Sequence, residues 1–348
     1  MRCKLIKESP MMQYFKKVLL WNVREIKKNE DGGWTLFRLP QAAEKDMLMQ
    51  GKNMNQTAVG VEFRFIPKGK VKFYLKSKDP QMTRAYLFRG VVQAEWQNSY
   101  YTISNEKVTI IEIDPFQEVD KQVEFLNHER NSPFSSRLYR LVFDYSSFDL
   151  YDIEGDFLPI EIEDMPTKRY LAYGSSITSS SLTYLQNLSY PYLIASHIGY
   201  DLVNVGFPGS CRLEKEVAEV IAKEKFDFAT LEFGINVIAE WDEETFHNKV
   251  HEFLNVVLAA HPNQTFFVTD IMSYFNECCS AVSDEKLARY RKIVKEEVEK
   301  IHRTNVFYIR GDELLTTRKY LCADLVHPTI EGHQEIYQNY ISWIFKKM

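Results

Sequence analysis

The sequence is poor in cysteine, and its few cysteines form no pattern. Five are scattered over 348 residues, an odd number with no C-x-x-C pair. Such a set makes a poor disulfide framework and shows no cluster with zinc-ligand spacing. It predicts reduced thiols, and therefore a cytoplasmic protein. The five are Cys3, Cys211, Cys278, Cys279 and Cys322.

Metal-ligand clusters are missing as well. His247 and His251 stand four residues apart on a predicted helix, but no third ligand follows at the spacing of a metal site. We expect these two histidines to lie on a solvated helix face. The sequence thus predicts no metal and no cofactor.

Long apolar runs and an excess of basic residues are also absent. The longest apolar stretches, such as residues 253–260, end well short of the roughly 20 residues that a membrane-spanning helix needs. No apolar segment follows the charged residues within 1–17, so we expect no signal peptide. Lys and Arg number 43 against 48 Asp and Glu, for a net charge of -5. We expect no nucleic-acid partner and no membrane partner, and a homo-oligomer remains open.

Short strand-like segments dominate the first 160 residues. They are rich in Val, Phe, Tyr and Ile, and several alternate between apolar and polar residues, as 61–65 does. A period of two with one wet face is typical of antiparallel sheet, and many short strands favour a jelly-roll-like sandwich. We predict an all-β sandwich domain over residues 1–163. The predicted strands are 60–66, 70–75, 85–88, 91–96, 108–113 and 137–143.

The pattern changes near residue 164, where apolar strand-like runs begin to alternate with amphipathic helices. This alternation predicts an α/β domain with a parallel sheet over residues 164–348. Its predicted strands are 170–173, 202–205, 228–233, 266–271 and 306–309. Its predicted helices are 214–225, 245–260 and 284–302.

Four short motifs follow strands of this predicted sheet or stand in the last loop on the same side. Ligands bind at that edge of a parallel sheet. Each motif alone has an ordinary explanation, such as a helix cap or a turn. Together they supply a nucleophile, a base, an orienting acid and donors for an oxyanion, which acyl transfer by serine requires. The motifs are Gly174-Ser175-Ser176, Gly209 within 204–210, Gly234-Ile235-Asn236 and Asp324-Leu325-Val326-His327.

In the order and spacing of these motifs, residues 168–340 resemble the SGNH (GDSL-type) hydrolases, a family of flavodoxin-like esterases and acyltransferases. The resemblance implies Ser176 as nucleophile, His327 as general base and Asp324 as the residue that orients it. It also implies an oxyanion hole formed by the Ser176 N–H, the Gly209 N–H and the Asn236 side chain.

The first half resembles a subgroup in which a β-sandwich precedes the SGNH domain, as in SsfX3-like acyltransferases and family 2 carbohydrate esterases. The resemblance implies an esterase that removes a small acyl group, an acetyl group above all, from a small-molecule ester. An acylated sugar is one candidate substrate. An acyltransferase with the same triad and a carbohydrate-binding protein with an inactive hydrolase fold are the alternatives.

The sequence departs from the family at Ser175, where an Asp is usual. Ser176 is still the expected nucleophile, because it aligns with the serine of the family motif. Of the other polar residues near the motifs, Glu232 is expected in an ion pair at the strand end, with a carboxylate that supports the active site as the alternative, and His333 is expected in a structural role. Trp241 is expected either in the acyl pocket or in the core.

Overall fold

A computed structural model of the chain describes residues 12–80, 82–93, 100–115, 119–181, 183, 185–275 and 282–348. The described chain forms two compact units. The first is built from described residues within 1–41, 55–168 and 198–201, and the second from those within 42–54, 169–197 and 202–348.

The first unit is built mainly from short strands. The strands are β1 Met12–Phe15, β2 Val18–Trp21, β3 Glu25–Lys28, β4 Trp34–Phe37, β5 Glu62–Pro67, β6 Val71–Ser77, β7 Thr83–Arg89, β8 Val92–Gln93, β9 Tyr101–Ile103, β10 Thr109–Ile113, β11 Tyr139–Phe143, β12 Phe148–Glu154 and β13 Phe157–Leu158. Helix α2 Asp120–Glu129 lies between β10 and β11, whereas helix α1 Met49–Asn55, between β4 and β5 in sequence, belongs to the second unit except for Asn55. The predicted strand 91–96 is observed as β8, and residues 94–96 lie outside the described residues.

These strands form two antiparallel sheets over one apolar core. One sheet has the order β1-β2-β5-β11-β7-β8, with β13 beside β5 and β9 beside β7, and the other has the order β10-β6-β12-β4-β3. Phe63 of the first sheet meets Phe73 and Phe148 of the second, with ring centroids 6.0 and 5.9 Å apart. The predicted sandwich is confirmed.

The polar face of β5 was expected to be exposed to solvent, but it is buried. Glu62 and Arg64 alternate with core phenylalanines as predicted, but their side chains are buried. Arg64 makes two hydrogen bonds to Asp201, which is counted in the first unit, at 2.6 and 2.7 Å. Arg140 of β11 makes two to Glu62, at 2.5 and 2.8 Å. The Trp21 ring lies 4.1 Å from the Arg64 guanidinium. The charges are buried because each has a partner of opposite sign.

The second unit alternates strands with helices. Its strands are β14 Arg169–Gly174, β15 Asp201–Gly206, β16 Phe228–Glu232, β17 Thr265–Thr269 and β18 Val306–Ile309. Its further helices are α3 Tyr190–Ile198, α4 Lys215–Ala222, α5 Glu243–Ala260, α6 Asp284–Glu299, α7 Gly311–Leu314 and α8 Ile330–Lys347. The sheet order is β15-β14-β16-β17-β18, which is the flavodoxin-like order that was predicted. The order reverses between β14 and β16, so ligands are expected beyond the carboxyl ends of these two strands.

Local sequence explains the long helices. The Asp242 side chain accepts the Thr245 N–H at 2.7 Å and caps α5, whose residues Phe246, Val250 and Phe253 are buried on one face. In the described part of the chain no helix combines the length and the apolarity needed to cross a bilayer.

Residues 42–54 belong to the second unit although they precede β5 in the sequence. Ala43, Met47 and Gly51 are buried and anchor this segment. Its ends are held together at Asn55, whose Oδ1 accepts the Leu39 N–H at 2.7 Å.

Candidate active site

The chain turns sharply where β14 ends, and this turn carries two adjacent serines. A Cβ on Gly174 would collide with Thr178 Oγ1, so glycine is needed at the strand exit. The next turn is closed by the Ser179 N–H, which donates to Ser175 O at 3.1 Å. Ser176 therefore stands in a tight turn at the carboxyl edge of the sheet.

The Ser176 hydroxyl is linked to a carboxylate through one imidazole. His327 Nε2 lies 2.6 Å from Ser176 Oγ, and His327 Nδ1 lies 2.6 Å from Asp324 Oδ2. An ionised carboxylate can only accept, so Nδ1–H donates to Asp324 and leaves Nε2 to accept from the hydroxyl. The structure thus brings together Ser176, His327 and Asp324 in the geometry of a nucleophile, a base and an orienting acid.

Asp324 is held as a carboxylate by its own loop. Its Oδ1 accepts the N–H groups of Val326 and His327, each at 3.0 Å. Burial alone would raise the pKa of Asp324, but these hydrogen bonds and the one from the imidazole outweigh it and lower the pKa below its ordinary value. Leu325 adopts a left-handed conformation with φ of 60°, which closes the loop between the acid and the histidine.

The Ser175 hydroxyl has a different partner from that of Ser176. Its Oγ donates to Glu232 Oε1 at 2.6 Å, and its N–H donates to Glu232 Oε2 at 3.0 Å. The same Oγ accepts the Ile177 N–H at 3.2 Å. Of the two serines, Ser176 is the one whose hydroxyl lies beside the base.

Glu232 is not in the ion pair that was expected. Within the described residues its carboxylate contacts the backbone N–H and hydroxyl of Ser175 and the hydroxyl of Thr178, which donates to Oε2 at 2.8 Å. Burial raises the pKa of Glu232 above its ordinary value, and these hydrogen bonds offset the increase only in part. Sequence reasoning misses the contact with Thr178, although this threonine belongs to the motif that follows Ser176.

Candidate donors for an oxyanion lie on the turn that carries the serines and on the loops that follow β15 and β16. Within the described residues, neither the Ser176 N–H nor the Gly209 N–H donates to an acceptor. Gly209 has a left-handed φ of 62°, a conformation that favours glycine. Asn236 Oδ1 accepts the Cys211 N–H at 3.0 Å, which orients the amide and leaves its Nδ2 group available as a donor.

The loop after β15 contacts both the turn that carries the serines and, through the Cys211 N–H, the loop after β16. The Phe207 N–H donates to Gly174 O at 2.8 Å, so the loop after β15 lies against the exit of β14. A Cβ on Gly234 would lie 2.8 Å from Ile271 Cγ1, which explains a glycine ahead of Asn236.

The other polar residues near the motifs have identifiable surroundings. Cys211 is buried, and burial raises the pKa of its thiol well above the ordinary value, so the thiol stays protonated. His333 is fully buried, and burial lowers its pKa to about 3, so the ring is neutral. Its Nδ1 accepts the Tyr190 N–H at 3.3 Å. Trp241 is half-buried, and the Arg212 guanidinium lies 5.0 Å from its ring.

His247 and His251 share one carboxylate. Glu297, on α6, lies 2.9 Å from His247 Nε2 and 2.8 Å from His251 Nδ1. The expectation of a solvated helix face is therefore incomplete, because a neighbouring helix supplies a partner to both rings. Among the described residues no group of three or more His, Cys, Asp or Glu side chains is arranged to hold a metal ion.

The chain is similar to known proteins in sequence and in fold. The model of the GDSL-like Lipase/Acylhydrolase family matches residues 167–344. No protein of curated function matches the sequence.

Three solved structures share the fold over nearly the whole chain. The salicylyl-acyltransferase SsfX3 from a tetracycline biosynthetic pathway has a TM-score of 0.76 at 14% identity, with 96% of each chain covered. A putative GDSL-like lipase from Bacteroides ovatus has a TM-score of 0.66 at 18% identity, with 97% of this chain and 99% of that chain covered. A family two carbohydrate esterase from Cellvibrio japonicus has a TM-score of 0.61 at 13% identity, with 96% of each chain covered. At these identities the likeness concerns the fold.

Proposed function

Because the chain belongs to the GDSL-like lipase/acylhydrolase family, we propose that it is a serine esterase that cleaves a small acyl ester through an acyl-enzyme on Ser176. The proposal is carried by the hydrogen-bond chain from the Ser176 hydroxyl through His327 to Asp324. A serine hydroxyl is a weak nucleophile until a base takes its proton, and His327 is the base within reach.

In the first half-reaction Ser176 Oγ attacks the ester carbonyl carbon while His327 Nε2 takes the hydroxyl proton. The new C–O bond pushes the carbonyl π electrons onto oxygen, and we assign the N–H groups of Ser176 and Gly209 and the Asn236 Nδ2 group to this oxyanion. Such donors act most strongly on the charge that develops in the transition state. Collapse of the intermediate breaks the ester C–O bond, and His327 returns its proton to the departing alcohol.

The second half-reaction repeats these steps with water. His327 Nε2 takes a proton from the water as its oxygen attacks the acyl carbon, and the proton then returns to Ser176 Oγ as the acid leaves. Asp324 stays ionised throughout and stabilises the imidazolium that forms in each half. These steps use side chains and backbone N–H groups of this chain and call for no cofactor.

A small acyl group, an acetyl group above all, on a carbohydrate alcohol is the substrate class we propose. The fold that the chain shares with a family two carbohydrate esterase supports this choice. Transfer to an alcohol is the second candidate, supported by the shared fold with a salicylyl-acyltransferase, since an alcohol can take the place of water in the second half-reaction. A carbohydrate-binding protein with an inactive hydrolase fold is disfavoured, because the nucleophile, base and acid are in hydrogen-bond contact.

Turnover of short aryl esters and acetylated sugars, with and without added acceptor alcohols, tests this proposal. We expect released acid from the wild type, no release from Ser176→Ala, and one phosphonate adduct on Ser176 detected by mass spectrometry. New ester in place of acid when alcohol is added would favour the transferase. Intact activity in Ser176→Ala would contradict both.

A further inference from the structure

We propose that Glu232 is a positioning residue of the active centre, which holds the nucleophile turn from the neighbouring strand and supplies the carboxylate that position 175 lacks. The inference rests on the proposed role of Ser176. Glu232 lies 57 positions after Ser175 in the sequence.

The sheet brings Glu232 to this place. Strands β14 and β16 are parallel neighbours, and Tyr173 pairs with Leu231 in their register. The next residues, Gly174 and Glu232, therefore stand side by side where both strands end. A Cβ on Gly174 would lie 2.6 Å from Glu232 Oε2, so the missing side chain at Gly174 makes room for the carboxylate.

Glu232 holds the turn on both sides of the nucleophile. One oxygen accepts the Ser175 hydroxyl at 2.6 Å, and the other accepts the Ser175 N–H at 3.0 Å and the Thr178 hydroxyl at 2.8 Å. Ser175 directly precedes Ser176, and Thr178 follows it by two positions. The three contacts thus fix the backbone that carries both the Ser176 hydroxyl and its N–H.

The chemistry of a carboxylate suits this task. An ionised carboxylate has acceptors for all three donors, whereas a glutamine offers one oxygen and adds an N–H₂ group. Glu232 is 1% exposed, so water cannot replace a lost contact. The Thr178 hydroxyl also lies 2.7 Å from Tyr190 OH, and since Thr178 donates to Glu232, Tyr190 donates to Thr178. The carboxylate therefore sets the direction of a buried hydrogen-bond chain.

A reciprocal exchange of the carboxylate tests the proposal. Glu232→Gln should lower kcat by about 10–100-fold with little change in KM, because misplacing a reacting group by about 1 Å costs on the order of 10²-fold. Ser175→Asp should be at least as damaging, because it puts two carboxylates in one buried site. The double variant Ser175→Asp/Glu232→Gln restores a single carboxylate and should be more active than Ser175→Asp alone.

Folding and chemistry are read separately in this experiment. Glu219→Gln, on the exposed side of α4, is the control for loss of a glutamate and should match the wild type. Melting temperature reports folding, and the rate of phosphonate labelling of Ser176 reports the nucleophile in each folded variant. Glu232→Asp shortens the side chain but keeps the carboxylate, so the folded variant should have a higher kcat than Glu232→Gln. An equal or lower kcat would mean that the carboxylate is not what positions the turn. Wild-type kcat in Glu232→Gln, or a double variant that merely multiplies the two single losses, overturns the proposal. Absence of labelling in the wild type would instead refute the acyl-enzyme.

A second inference stands on a different contact: we infer that Gln50 binds the alcohol part of the substrate beside the oxyanion loop. A Cβ on Gly209 would collide with Gln50 Nε2, so the amide of Gln50 lies directly over this glycine. Gln50 is exposed, and its side chain has no hydrogen-bond partner within the described residues. A free amide next to a candidate oxyanion donor is placed to hydrogen-bond a polar group of the ester, such as a sugar hydroxyl.

A comparison of two substrates tests Gln50. Gln50→Ala should raise KM by about 5–10-fold for an acetylated sugar, the effect of losing one hydrogen bond of about 1 kcal/mol. The KM for a short aryl acetate, which lacks the sugar hydroxyls, should not change in this variant. Asn53→Ala, also exposed on α1, is the matched control. An equal change of KM for both substrates, or no change for either, would refute the inference. If the wild type does not turn over aryl acetates at all, the proposed function is refuted instead.

Discussion

Each unit of this protein has a buried glutamate on a strand, and these two glutamates differ in whether their hydrogen-bond partners are charged. Glu62, in the sandwich, lies between Arg140 and Arg64. Burial opposes its ionisation, but the two guanidinium groups outweigh burial and lower the pKa of Glu62 to about 2. Glu232, in the α/β unit, meets hydroxyls and a backbone N–H, and its pKa is raised by burial.

The contrast separates two uses of a buried charge. A carboxylate between two arginines is neutralised, and its loss removes a buried ion-pair partner from both of them, so it matters to stability. A carboxyl group that accepts only from neutral donors has no cation in hydrogen-bond contact to offset its burial, and pKa values shifted by such surroundings cluster at functional sites. The site beside Ser176 therefore has a carboxylate that is costly to bury and that holds the turn bearing the nucleophile.

The largest expected effect concerns the two serines beside Glu232. Ser176→Ala should lower kcat by about 10⁴-fold or more, because nucleophile, base and acid act as a unit. Ser175→Ala should cost far less, since Glu232 keeps its contacts with the Ser175 N–H and Thr178. Steady-state kinetics of the two variants decide this. A dead Ser175→Ala beside an active Ser176→Ala would exchange the roles that we assign.

The next effect is on stability and belongs to the sandwich. Glu62→Gln should lower the free energy of unfolding by about 3–5 kcal/mol, because it removes the buried carboxylate that accepts two hydrogen bonds from Arg140. Denaturant unfolding measures the loss. The kcat of the folded variant should stay at the wild-type value. A catalytic defect without destabilisation would break the contrast between the two glutamates.

A smaller effect is expected at the oxyanion loop. Asn236→Ala removes one of the proposed donors and should lower kcat by about 10²–10³-fold. KM should change little, since the donor acts on charge that appears in the transition state. Steady-state kinetics on an aryl acetate provide the test, and a change confined to KM would count against an oxyanion role.

The smallest effect tests whether the partner, rather than the unit, decides the sign of a pKa shift. Asp144 is buried in the sandwich and accepts from the Ser146 hydroxyl at 2.6 Å and the Arg84 N–H at 3.0 Å. Burial raises its pKa from 3.8 to about 6. The folded state then binds the proton more tightly than the unfolded state, so this contribution to stability is full below pH 3.8 and is lost as pH rises to about 6.

Glu62 should show the opposite dependence, with its contribution present above pH 4.5 and lost as pH falls towards 2. Unfolding free energies between pH 3 and 7 compare the two. Asp144→Asn should remove roughly 2 kcal/mol of the decrease in unfolding free energy that the wild type shows between about pH 4 and 6. An unchanged slope would mean that Asp144 titrates alike in the folded and unfolded states.

The fold class could be predicted because it depends on periodicity. Alternation over residues 61–65 predicts a strand, which is observed within β5, and the apolar stripe over 245–260 predicts a helix, which is observed as α5. Strands such as β3 and β12 were not predicted. Strand β3 is largely polar and β12 carries four acidic or aromatic-polar residues among seven, so neither shows a clear alternation.

The sequence by itself determined the succession of strands and helices, and it placed serine, asparagine and histidine after the strands that form one edge of the sheet. Asp324 and His327 could be paired in advance because they lie three residues apart in one loop. The tertiary structure alone decided that Glu232 meets Ser175, that residues 42–54 join the second unit, and that Gln50 covers Gly209. Periodicity reports which side of an element is buried, but a partner tens of residues away is chosen by strand order and register, which arise only when the sheet assembles.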